Sequence, residues 1–338
     1  MPALLVLPPG GAQGAELPST LREPVDRRHV LAISIDGLNV DAVRRQGEGG
    51  LPALHRMLRE GAGTLNARTA FEDTRTLPNH TGMLTGRRVK GKRGHRVGFN
   101  HDPGGTVHRT AGRYARSLFD VVHDHGRSTA LFSSKDKFAY FDRSWGARFG
   151  APDEVGADDG RDKIDRFVYR KRTKTLVGKI IRRIERGAPW GATFLHIAAP
   201  DVAGHEHGFL SARYLRAVRR SDRQVGRLLD AVAGDPLLAA RTVVVLTSDH
   251  GGDRSGHFDV KNVAHYRVPF LAWGAGVAAG EDLYDLNPER TDPGDGRPAY
   301  RDAPPIRNTD VAGLVTTLLG LPKVKGGQLP GTTPLEVS

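Results

Sequence analysis

The feature that most constrains the fold is a series of short apolar runs separated by amphipathic segments. Five runs have the length and residue types of buried β-strands, and they lie at residues 29–38, 129–133, 193–199, 242–249 and 268–273. Residues 51–60 and 211–233 instead repeat apolar positions with the period of a helix that packs on one face. Strands that alternate with helices predict an α/β protein with a doubly wound, mostly parallel central sheet and helices on both faces.

The length of the chain and its more polar stretches define the expected domain organisation. With 338 residues the chain is long enough for one large α/β domain or two small ones. We expect an irregular leader, rich in Pro and Gly, over residues 1–25 and a single domain over residues 26–338. The leader has a short apolar run but lacks the basic region of an export signal, so the location in the cell stays open.

Three further segments carry predictions about local structure. Residues 164–186 are basic and amphipathic, and we interpret their charged face as a solvated helix surface rather than a nucleic-acid or membrane surface. Residues 281–305, dense in Asp, Pro, Gly and Arg, are typical of a long surface loop. Residues 310–319 are predicted to form the last helix.

The composition limits the chemistry of any metal or catalytic site. The chain contains no cysteine, which excludes disulfides, thiolate metal sites and cysteine nucleophiles. A metal ion would therefore be bound by histidine and carboxylate side chains, a ligand set that suits zinc, manganese or iron. The formal net charge of +12 fits an anionic substrate, although an arginine-rich composition can also reflect codon bias.

Acidic and histidine residues stand where three of the apolar runs end. Asp36 lies near the end of the first run, Asp201 and His205 follow the third, and Asp249 and His250 close the fourth. The carboxyl ends of parallel strands form the ligand-binding edge of an open α/β sheet, so these side chains are expected to lie together. The D-x-x-x-H spacing of Asp201 and His205 allows one helical turn to bring both side chains to one ion. These residues predict a metal centre at that edge.

A sixth metal ligand and a nucleophile complete the candidate site. Two three-ligand sites need one more residue, for which His257, in a glycine-flanked loop after the fourth run, competes with His265. A hydroxyl nucleophile is expected at Thr76, just before the helix start predicted at Pro78, because a helix N-terminus stabilises negative charge. The residues of this segment fit equally well a threonine that only caps the helix.

Six motifs, taken in order, resemble those of the alkaline phosphatase superfamily and, within it, of the nucleotide pyrophosphatase/phosphodiesterase family. They are IDG at 35–37, TRTLPNH at 74–80, GHRVGFN at 94–100, PDVAGH at 200–205, SDHGG at 248–252 and GH at 256–257. Six motifs in one order are far more specific than any one of them. The resemblance runs from residue 29 to the end of the chain, and it implies that residues 26–338 form one alkaline phosphatase-like catalytic domain.

The resemblance implies a role for each candidate residue. Two divalent metal ions, zinc or in its place manganese, are expected on two ligand sets, Asp201, His205 and His257 for one ion and Asp36, Asp249 and His250 for the other. Thr76 is implied to be the nucleophile and to contact the metal centre, and Asn100 to donate a hydrogen bond to a phosphate oxygen. Lys135 and Lys137 resemble the lysines with which phosphonoacetate hydrolases of the superfamily bind a substrate carboxylate.

Two enzymatic functions follow from these expectations. The first is a metal-dependent phosphodiesterase or nucleotide pyrophosphatase that forms a phosphothreonine intermediate, and the second is a phosphonate hydrolase or phosphomonoesterase with the same site. Leu77 departs from the family, whose members often carry an aromatic residue there to stack a nucleobase, so a nucleotide preference does not follow. A binding protein on a degenerate version of the fold is disfavoured, because the nucleophile and ligand positions are intact.

The expected partner is a small anionic phosphate ester. The sequence indicates no specific nucleic-acid or membrane partner, and it does not determine the oligomeric state.

Overall fold

The described residues form one mixed β-sheet that is flanked by helices. The computed structural model describes residues 28–254, 256–327, 329 and 332–338. Its strands are β1 (His29–Ile35), β2 (Ala62–Arg68), β3 (Thr129–Ser133), β4 (Arg166–Tyr169), β5 (Ala192–Ile197), β6 (Thr242–Thr247), β7 (Arg267–Gly274) and β8 (Glu281–Asp282). The leader predicted at residues 1–25 lies outside the described residues, and the domain division stays a prediction.

The helices lie between these strands in the order that an alternating α/β chain requires. They are α1 (Val40–Gly50), α2 (Pro52–Glu60), α3 (Thr76–Thr85), α4 (Val107–Ala111), α5 (Leu118–Asp124), α6 (Ala139–Trp145), α7 (Thr173–Ile184), α8 (Ala199–His207), α9 (Ala212–Ala233), α10 (Pro236–Ala239), α11 (Val263–Tyr266), α12 (Leu283–Leu286) and α13 (Val311–Leu318). None of the helices in the described part of the chain combines the length and the apolar character needed to cross a bilayer.

The sheet has eight strands in the order β4-β3-β5-β1-β6-β7-β2-β8. The strands from β4 to β6 in this order pair in parallel, whereas β7 is antiparallel to both of its neighbours, β6 and β2. Parallel pairing usually needs a helix that crosses a face of the sheet. The described part of the β6–β7 connection contains one helix, α11, of four residues, which suits the antiparallel return of β7.

The two faces of the sheet bury two separate hydrophobic cores. In β1, Val30 and Ala32 belong to one core, which also contains residues of α3, α5 and α13, whereas Leu31 and Ile33 belong to the other, which contains residues of α2, α7 and α9. Successive residues of a strand point to opposite faces, so a strand covered on both sides has a continuous apolar sequence. The predicted doubly wound, mostly parallel fold is therefore confirmed.

Two segments differ from the sequence-based expectation. Residues 164–186 do not form one amphipathic helix, because they contain the edge strand β4 and then helix α7. Residues 281–305 contain β8 and α12, and the side chain of Arg290 is buried, with its Nη2 donating to Asp310 Oδ1 over 3.1 Å. The segment is thus anchored to the residue that precedes α13, the helix predicted at residues 310–319.

Candidate functional site

Three aspartates meet at the carboxyl edge of the sheet. Asp36 directly follows β1, Asp249 follows β6 by two residues, and Asp201 lies in the first turn of α8, after β5. Strand β1 pairs with both β5 and β6, so the three segments are neighbours. All three side chains are buried, with residue exposures of 0%, 0% and 3% for Asp36, Asp249 and Asp201. Buried carboxylates need a compensating cation or hydrogen-bond donors.

One candidate metal site consists of Asp201, His205 and His257, whose ligand atoms lie within 4.8 Å of one another. One turn of α8 brings His205 Nε2 to 3.3 Å from Asp201 Oδ1. His257 Nδ1 donates to the carbonyl oxygen of Thr74 over 2.8 Å, and its Nε2 lies 3.1 Å from His205 Nε2. Burial and the nearby His250 lower the pKa of His257 to about 2. The imidazole is therefore neutral and presents Nε2 to the site, the form in which histidine binds a metal.

The second candidate site lies beside the first and shares Asp201 with it. Asp36, Asp201 and His250 place their ligand atoms within 4.8 Å of one another. His250 Nε2 lies 3.3 Å from Asp36 Oδ1 and 3.3 Å from Asp249 Oδ2. His250 Nδ1 donates to the carbonyl oxygen of Gly251 over 2.8 Å, which directs Nε2 toward the carboxylates. The geometry therefore brings together the six residues predicted as ligands.

Burial and neighbouring charges shift the pKa values of the residues in this second site. Burial and the charge of Asp36 raise the pKa of Asp249 to about 7. Burial disfavours a charged His250, but Asp249 and Asp36 raise its pKa to about 9. Burial also opposes the charge of Asp36, yet Lys135 and His196 hold its pKa well below the ordinary value. Carboxylates at this separation need positive charge between them.

Several buried polar atoms at this edge of the sheet lack hydrogen-bond partners. Among the described residues, those without a partner include Asp36 Oδ1, Thr76 Oγ1, Asp201 Oδ1, Asp249 Oδ2 and His250 Nε2. A buried polar atom without a partner costs about 1–3 kcal/mol, so this group of atoms indicates a binding site rather than a packing fault. Carboxylate oxygens and an imidazole nitrogen are donors that a zinc-type divalent cation prefers. The residues present therefore fit divalent metal ions.

Thr76 is the first residue of α3, and residues on either side of it contact both ligand sets. Its neighbour Thr74 contacts His257 through both its hydroxyl and its carbonyl group. One turn along α3, His80 Nδ1 donates to the carbonyl oxygen of Thr76 over 2.8 Å and lies 3.6 Å from Asp249 Oδ2. The Thr76 hydroxyl is buried and makes no hydrogen bond to the described residues. A threonine that only capped the helix would use its hydroxyl to accept from the first turn.

Lys135 places its ammonium group between the carboxylates of Asp36 and Asp201. Its Nζ lies 2.7 Å from Asp36 Oδ2 and 2.6 Å from Asp201 Oδ2. The other oxygen of each carboxylate, Oδ1, has no hydrogen-bond partner among the described residues and lies toward the histidines. Burial opposes the charge on Lys135, but the two aspartates raise its pKa above the ordinary value.

Asn100 and Lys137 form a second polar group beside the start of α3. Asn100 Oδ1 accepts from the Leu77 backbone N–H over 3.0 Å and from Lys137 Nζ over 2.8 Å. Because both partners are donors, the amide must point its oxygen toward them, which leaves its NH2 group to donate elsewhere. Burial and the charge of Lys135 lower the pKa of Lys137 to about 8.

Two buried histidines near the site were not assigned a role from the sequence. His196 Nε2 donates to Asp36 Oδ2 over 2.8 Å, and its Nδ1 lies 3.1 Å from Ser133 Oγ. His80 Nε2 lies 2.8 Å from Ser34 Oγ. A histidine in the middle of the apolar run of β5 is a signal that could have identified His196, because a buried imidazole needs partners.

His265, the alternative to His257 in the sequence, lies in a different environment. Its Nε2 is 2.8 Å from Asp253 Oδ1, and its Nδ1 is 3.0 Å from the carbonyl oxygen of Asp259. It therefore holds the loop before α11 together, and the groups of candidate ligands in the described residues do not include it.

A third group of candidate ligands, His123, Asp153 and Asp159, lies away from this edge. The buried Lys163 already supplies a cation to it, since its Nζ is ion-paired with Asp153, lies 3.3 Å from Asp124 Oδ1 and donates to the carbonyl oxygen of Gly160 over 2.8 Å. We interpret this group as a structural ion-pair cluster.

An open α/β sheet with candidate histidine and carboxylate metal ligands at its carboxyl edge, next to a helix that begins with a buried threonine, is the arrangement expected of an alkaline phosphatase-like enzyme that acts on phosphate esters. The sequence profile of the type I phosphodiesterase/nucleotide pyrophosphatase family matches residues 30–266. The chain belongs to this family.

Curated relatives carry a more specific name. GPI ethanolamine phosphate transferase 1 of Yarrowia lipolytica is 27% identical over 248 residues, which cover 63% of this chain and 24% of that protein. The protein of the same name from Saccharomyces cerevisiae is 30% identical over 180 residues, or 50% of this chain and 19% of that protein. The chain thus spans about a quarter or less of the length of the curated relatives it matches.

Solved structures share the fold. Murine ectonucleotide pyrophosphatase/phosphodiesterase 5, in an inactive variant with AMP bound, has a TM-score of 0.60 and 15% identity, covering 88% of this chain and 96% of that chain. A protein of the alkaline phosphatase superfamily from Vibrio parahaemolyticus has a TM-score of 0.57 and 15% identity, covering 92% of this chain and 71% of that chain. At such identities the likeness shows the fold alone, which agrees with the predicted fold class.

Proposed function

We propose that the protein is a two-metal phosphodiesterase that cleaves phosphate diesters through a covalent phosphothreonine on Thr76. The observation that carries this proposal is the buried hydroxyl of Thr76, which has no hydrogen-bond partner among the described residues. Thr74 contacts one ligand set through His257, and His80 lies 3.6 Å from Asp249 of the other, so the segment that carries Thr76 adjoins both sets. A free hydroxyl at the first residue of a helix, next to a metal centre, fits a nucleophile.

The ligand sets divide the six residues between two ions. Asp201, His205 and His257 would hold one ion, and Asp36, Asp249 and His250 the other, with Asp201 facing both ions. Divalent ions bound there supply positive charge that lowers the pKa of a hydroxyl and stabilises the oxygens of an in-line displacement. Histidine and carboxylate ligands without thiolates favour zinc, and manganese is the alternative.

The side chains of this chain would divide the remaining work. Thr76 Oγ1 attacks phosphorus, the bond to the leaving alcohol breaks, and the alcohol departs with a proton. The NH2 group of Asn100, whose amide oxygen is fixed by Leu77 N and Lys137, donates to a non-bridging phosphate oxygen. A second displacement at phosphorus then releases Thr76 and regenerates the hydroxyl.

The second displacement determines whether the enzyme is a hydrolase or a transferase. Attack by water completes hydrolysis, whereas attack by an alcohol transfers the phosphoryl group to an acceptor. The names of the curated relatives, which are ethanolamine phosphate transferases, support testing the second route. An ethanolamine phosphodiester is therefore included among the substrates to be assayed.

A phosphonoacetate-type activity was the alternative suggested by Lys135 and Lys137. In the structure Lys135 Nζ contacts Asp36 and Asp201, and Lys137 Nζ contacts Asn100. Either ammonium group would have to leave these partners to bind a substrate carboxylate. Lys137 would have to leave Asn100, the residue proposed to bind a phosphate oxygen, and this contact favours a diester over phosphonoacetate.

A substrate panel tests the proposal. The protein is dialysed against EDTA, reloaded with zinc or manganese, and assayed with bis(p-nitrophenyl) phosphate, p-nitrophenyl phosphorylethanolamine, p-nitrophenyl phosphate and phosphonoacetate. We expect metal-dependent cleavage of the diesters at a rate above that of the monoester and of phosphonoacetate. Faster turnover of phosphonoacetate or of the monoester would reject the phosphodiesterase assignment.

A further inference from the structure

A large basic groove lies next to the candidate metal centre. Its volume is about 770 Å³, and it lies between the exposed face of α8, the first half of α9, the end of β4 and the segment that follows β3. Pockets of this volume accommodate a small-molecule ligand. The groove is therefore large enough for a part of the substrate that extends beyond the scissile phosphate.

The groove carries an excess of positive charge that the protein does not neutralise. Arg213, Arg216 and Arg220 lie along one face of α9, and Lys171 follows β4. None of these four cations forms an ion pair within the part of the chain that the structure describes, and their side chains are exposed. Arg213 Nη1 lies 3.3 Å from His207 Nε2. Two acidic residues, Asp136 and Glu206, also line the groove, so the cations outnumber them.

Packing does not explain the arginines. Helix α9 buries the opposite face, with Tyr214, Ala217 and Val218 in the core. Arg56, on the neighbouring helix α2, is paired with the carboxylates of Glu60 and Asp230, whereas the three groove arginines have no such partner among the described residues. Unpaired arginines that face a cavity fit the recognition of phosphate, because the guanidinium group donates two parallel hydrogen bonds to it.

Helix α8 and Lys135 connect the groove to the metal centre. One face of α8 supplies Asp201 and His205 to the centre, whereas Val202 and Glu206 line the groove. Lys135 borders both, since it lines the groove and its Nζ contacts Asp36 and Asp201. A substrate bound at the centre can therefore extend an arm past Lys135 into the groove.

We propose that this groove binds a second phosphate group of the substrate, carried on the arm that stays attached to the scissile phosphorus. The inference rests on the proposed phosphodiesterase function and specifies its substrate class, a small diester with a further phosphate. Arg216 and Arg220 are the central phosphate-binding residues, and Lys171 and Arg213 flank them.

Three diesters with the same p-nitrophenolate leaving group test the proposal. Their second arm is 2-phosphoethyl, 2-hydroxyethyl or 2-aminoethyl, so only the charge of that arm changes. We expect kcat/KM to be at least about tenfold higher for the phosphoethyl ester than for the hydroxyethyl ester, since charge-assisted hydrogen bonds to phosphate are of that strength. The aminoethyl ester should be the poorest of the three.

The double variant Arg216→Gln/Arg220→Gln should reduce this preference to less than about threefold, mainly through KM, because the substrate arm loses its partners. The matched control Arg182→Gln/Arg186→Gln removes two exposed charges at the end of α7 and beyond it and should keep the preference. A wild-type protein that cleaves the phosphoethyl and hydroxyethyl esters equally well would overturn the proposal, as would a double variant that keeps the preference.

Binding of inorganic phosphate to the EDTA-treated protein separates this inference from the proposed function. We expect calorimetry to show binding that weakens at least about tenfold in the Arg216→Gln/Arg220→Gln variant and not in the control. That result would support the phosphate site even if no ester were cleaved, in which case the phosphodiesterase function alone would fail. If the Arg216→Gln/Arg220→Gln variant bound phosphate as tightly as the wild type while esters were still cleaved, the phosphate site in the groove would be rejected and the phosphodiesterase function would stand. Tighter binding of a single-stranded oligonucleotide, lost in the same variant, would overturn the assignment to a small substrate.

Discussion

His196 Nε2 donates a hydrogen bond of 2.8 Å to Oδ2 of Asp36, a predicted metal ligand. The same imidazole lies 3.1 Å from Ser133 Oγ through Nδ1. The carboxylate of Asp36 is thus held by a partner that lies on the neighbouring strand β5. Partners of this kind orient a ligand and increase its affinity for the metal.

We expect His196→Ala to weaken metal binding about 10–100-fold, because Asp36 loses the donor that fixes its orientation. His196→Gln should recover part of this loss, since its amide can still donate. Metal titration of the EDTA-treated protein measures both affinities. An alanine variant that binds zinc as tightly as the wild type would show that Asp36 does not need this contact.

Asp201 should matter more for metal content than any other ligand. Its Oδ1 lies 3.3 Å, 3.7 Å and 3.8 Å from Nε2 of His205, His250 and His257, so it faces both ligand sets. We expect Asp201→Ala to lose most of both ions after dialysis, and Asp249→Ala to lose mainly one, because a three-ligand site with a ligand removed binds weakly. Elemental analysis of the purified variants measures this. Two equivalents of metal in Asp201→Ala would contradict the shared position.

Lys135 should stabilise the metal-free protein. Its Nζ is the nearest cation to Asp36 and Asp201, and removing one partner of a buried ion pair costs about 3–5 kcal/mol. We expect Lys135→Met to lower the free energy of unfolding by about this amount in EDTA, and added zinc to restore much of it. Lys137→Met is the control, because Lys137 Nζ contacts the neutral Asn100. Equal urea-unfolding curves for the two variants in EDTA would reject this role.

His95 makes the stability depend on pH at a distance from the metal ligands. Burial and the charge of Arg87 lower the pKa of His95 to about 3, and its Nδ1 accepts from Val97 N over 3.1 Å. In the unfolded chain the pKa of the His95 imidazole is about 6.5, so it takes up a proton as the pH falls from 6.5 toward 3. In the native state the imidazole stays neutral over this range. The contribution of His95 is therefore complete above pH 6.5 and is lost on acidification.

We expect the wild type to lose about 2 kcal/mol more stability than His95→Asn between pH 7 and pH 5, because asparagine can still accept from Val97 N but does not titrate. Urea unfolding of the EDTA-treated proteins at the two pH values gives the comparison. Parallel losses in the two proteins would show that His95 is not buried in its neutral form.

The parts of the molecule that could be predicted from the sequence are those determined by a single segment. Asp36 and Asp249 could be predicted as ligands at the carboxyl edge because each lies where a buried strand ends. Asp201 and His205 could be predicted as a pair because they are one helical turn apart. The carboxyl edge of a parallel sheet then brings such segments together.

Features that depend on contacts between distant segments could not be predicted. The position of Lys135 between Asp36 and Asp201 requires the packing of β3 beside β5, and that of β5 beside β1. Strand β4 was missed because it has four residues at the edge of the sheet, with Val168 buried and Arg166 exposed, so it lacks the continuous apolar character of the central strands.

Turnover by Thr76→Ala, measured with bis(p-nitrophenyl) phosphate on samples of known metal content, tests the covalent mechanism most directly. We expect the rate to fall at least about 1,000-fold while both metal ions remain bound, because Thr76 supplies the attacking oxygen and the six ligands are unchanged. Thr76→Ser should retain measurable activity, since its hydroxyl starts from the same backbone position. Wild-type turnover by the alanine variant at full metal occupancy would show that water or another residue attacks phosphorus, and would contradict a phosphothreonine intermediate.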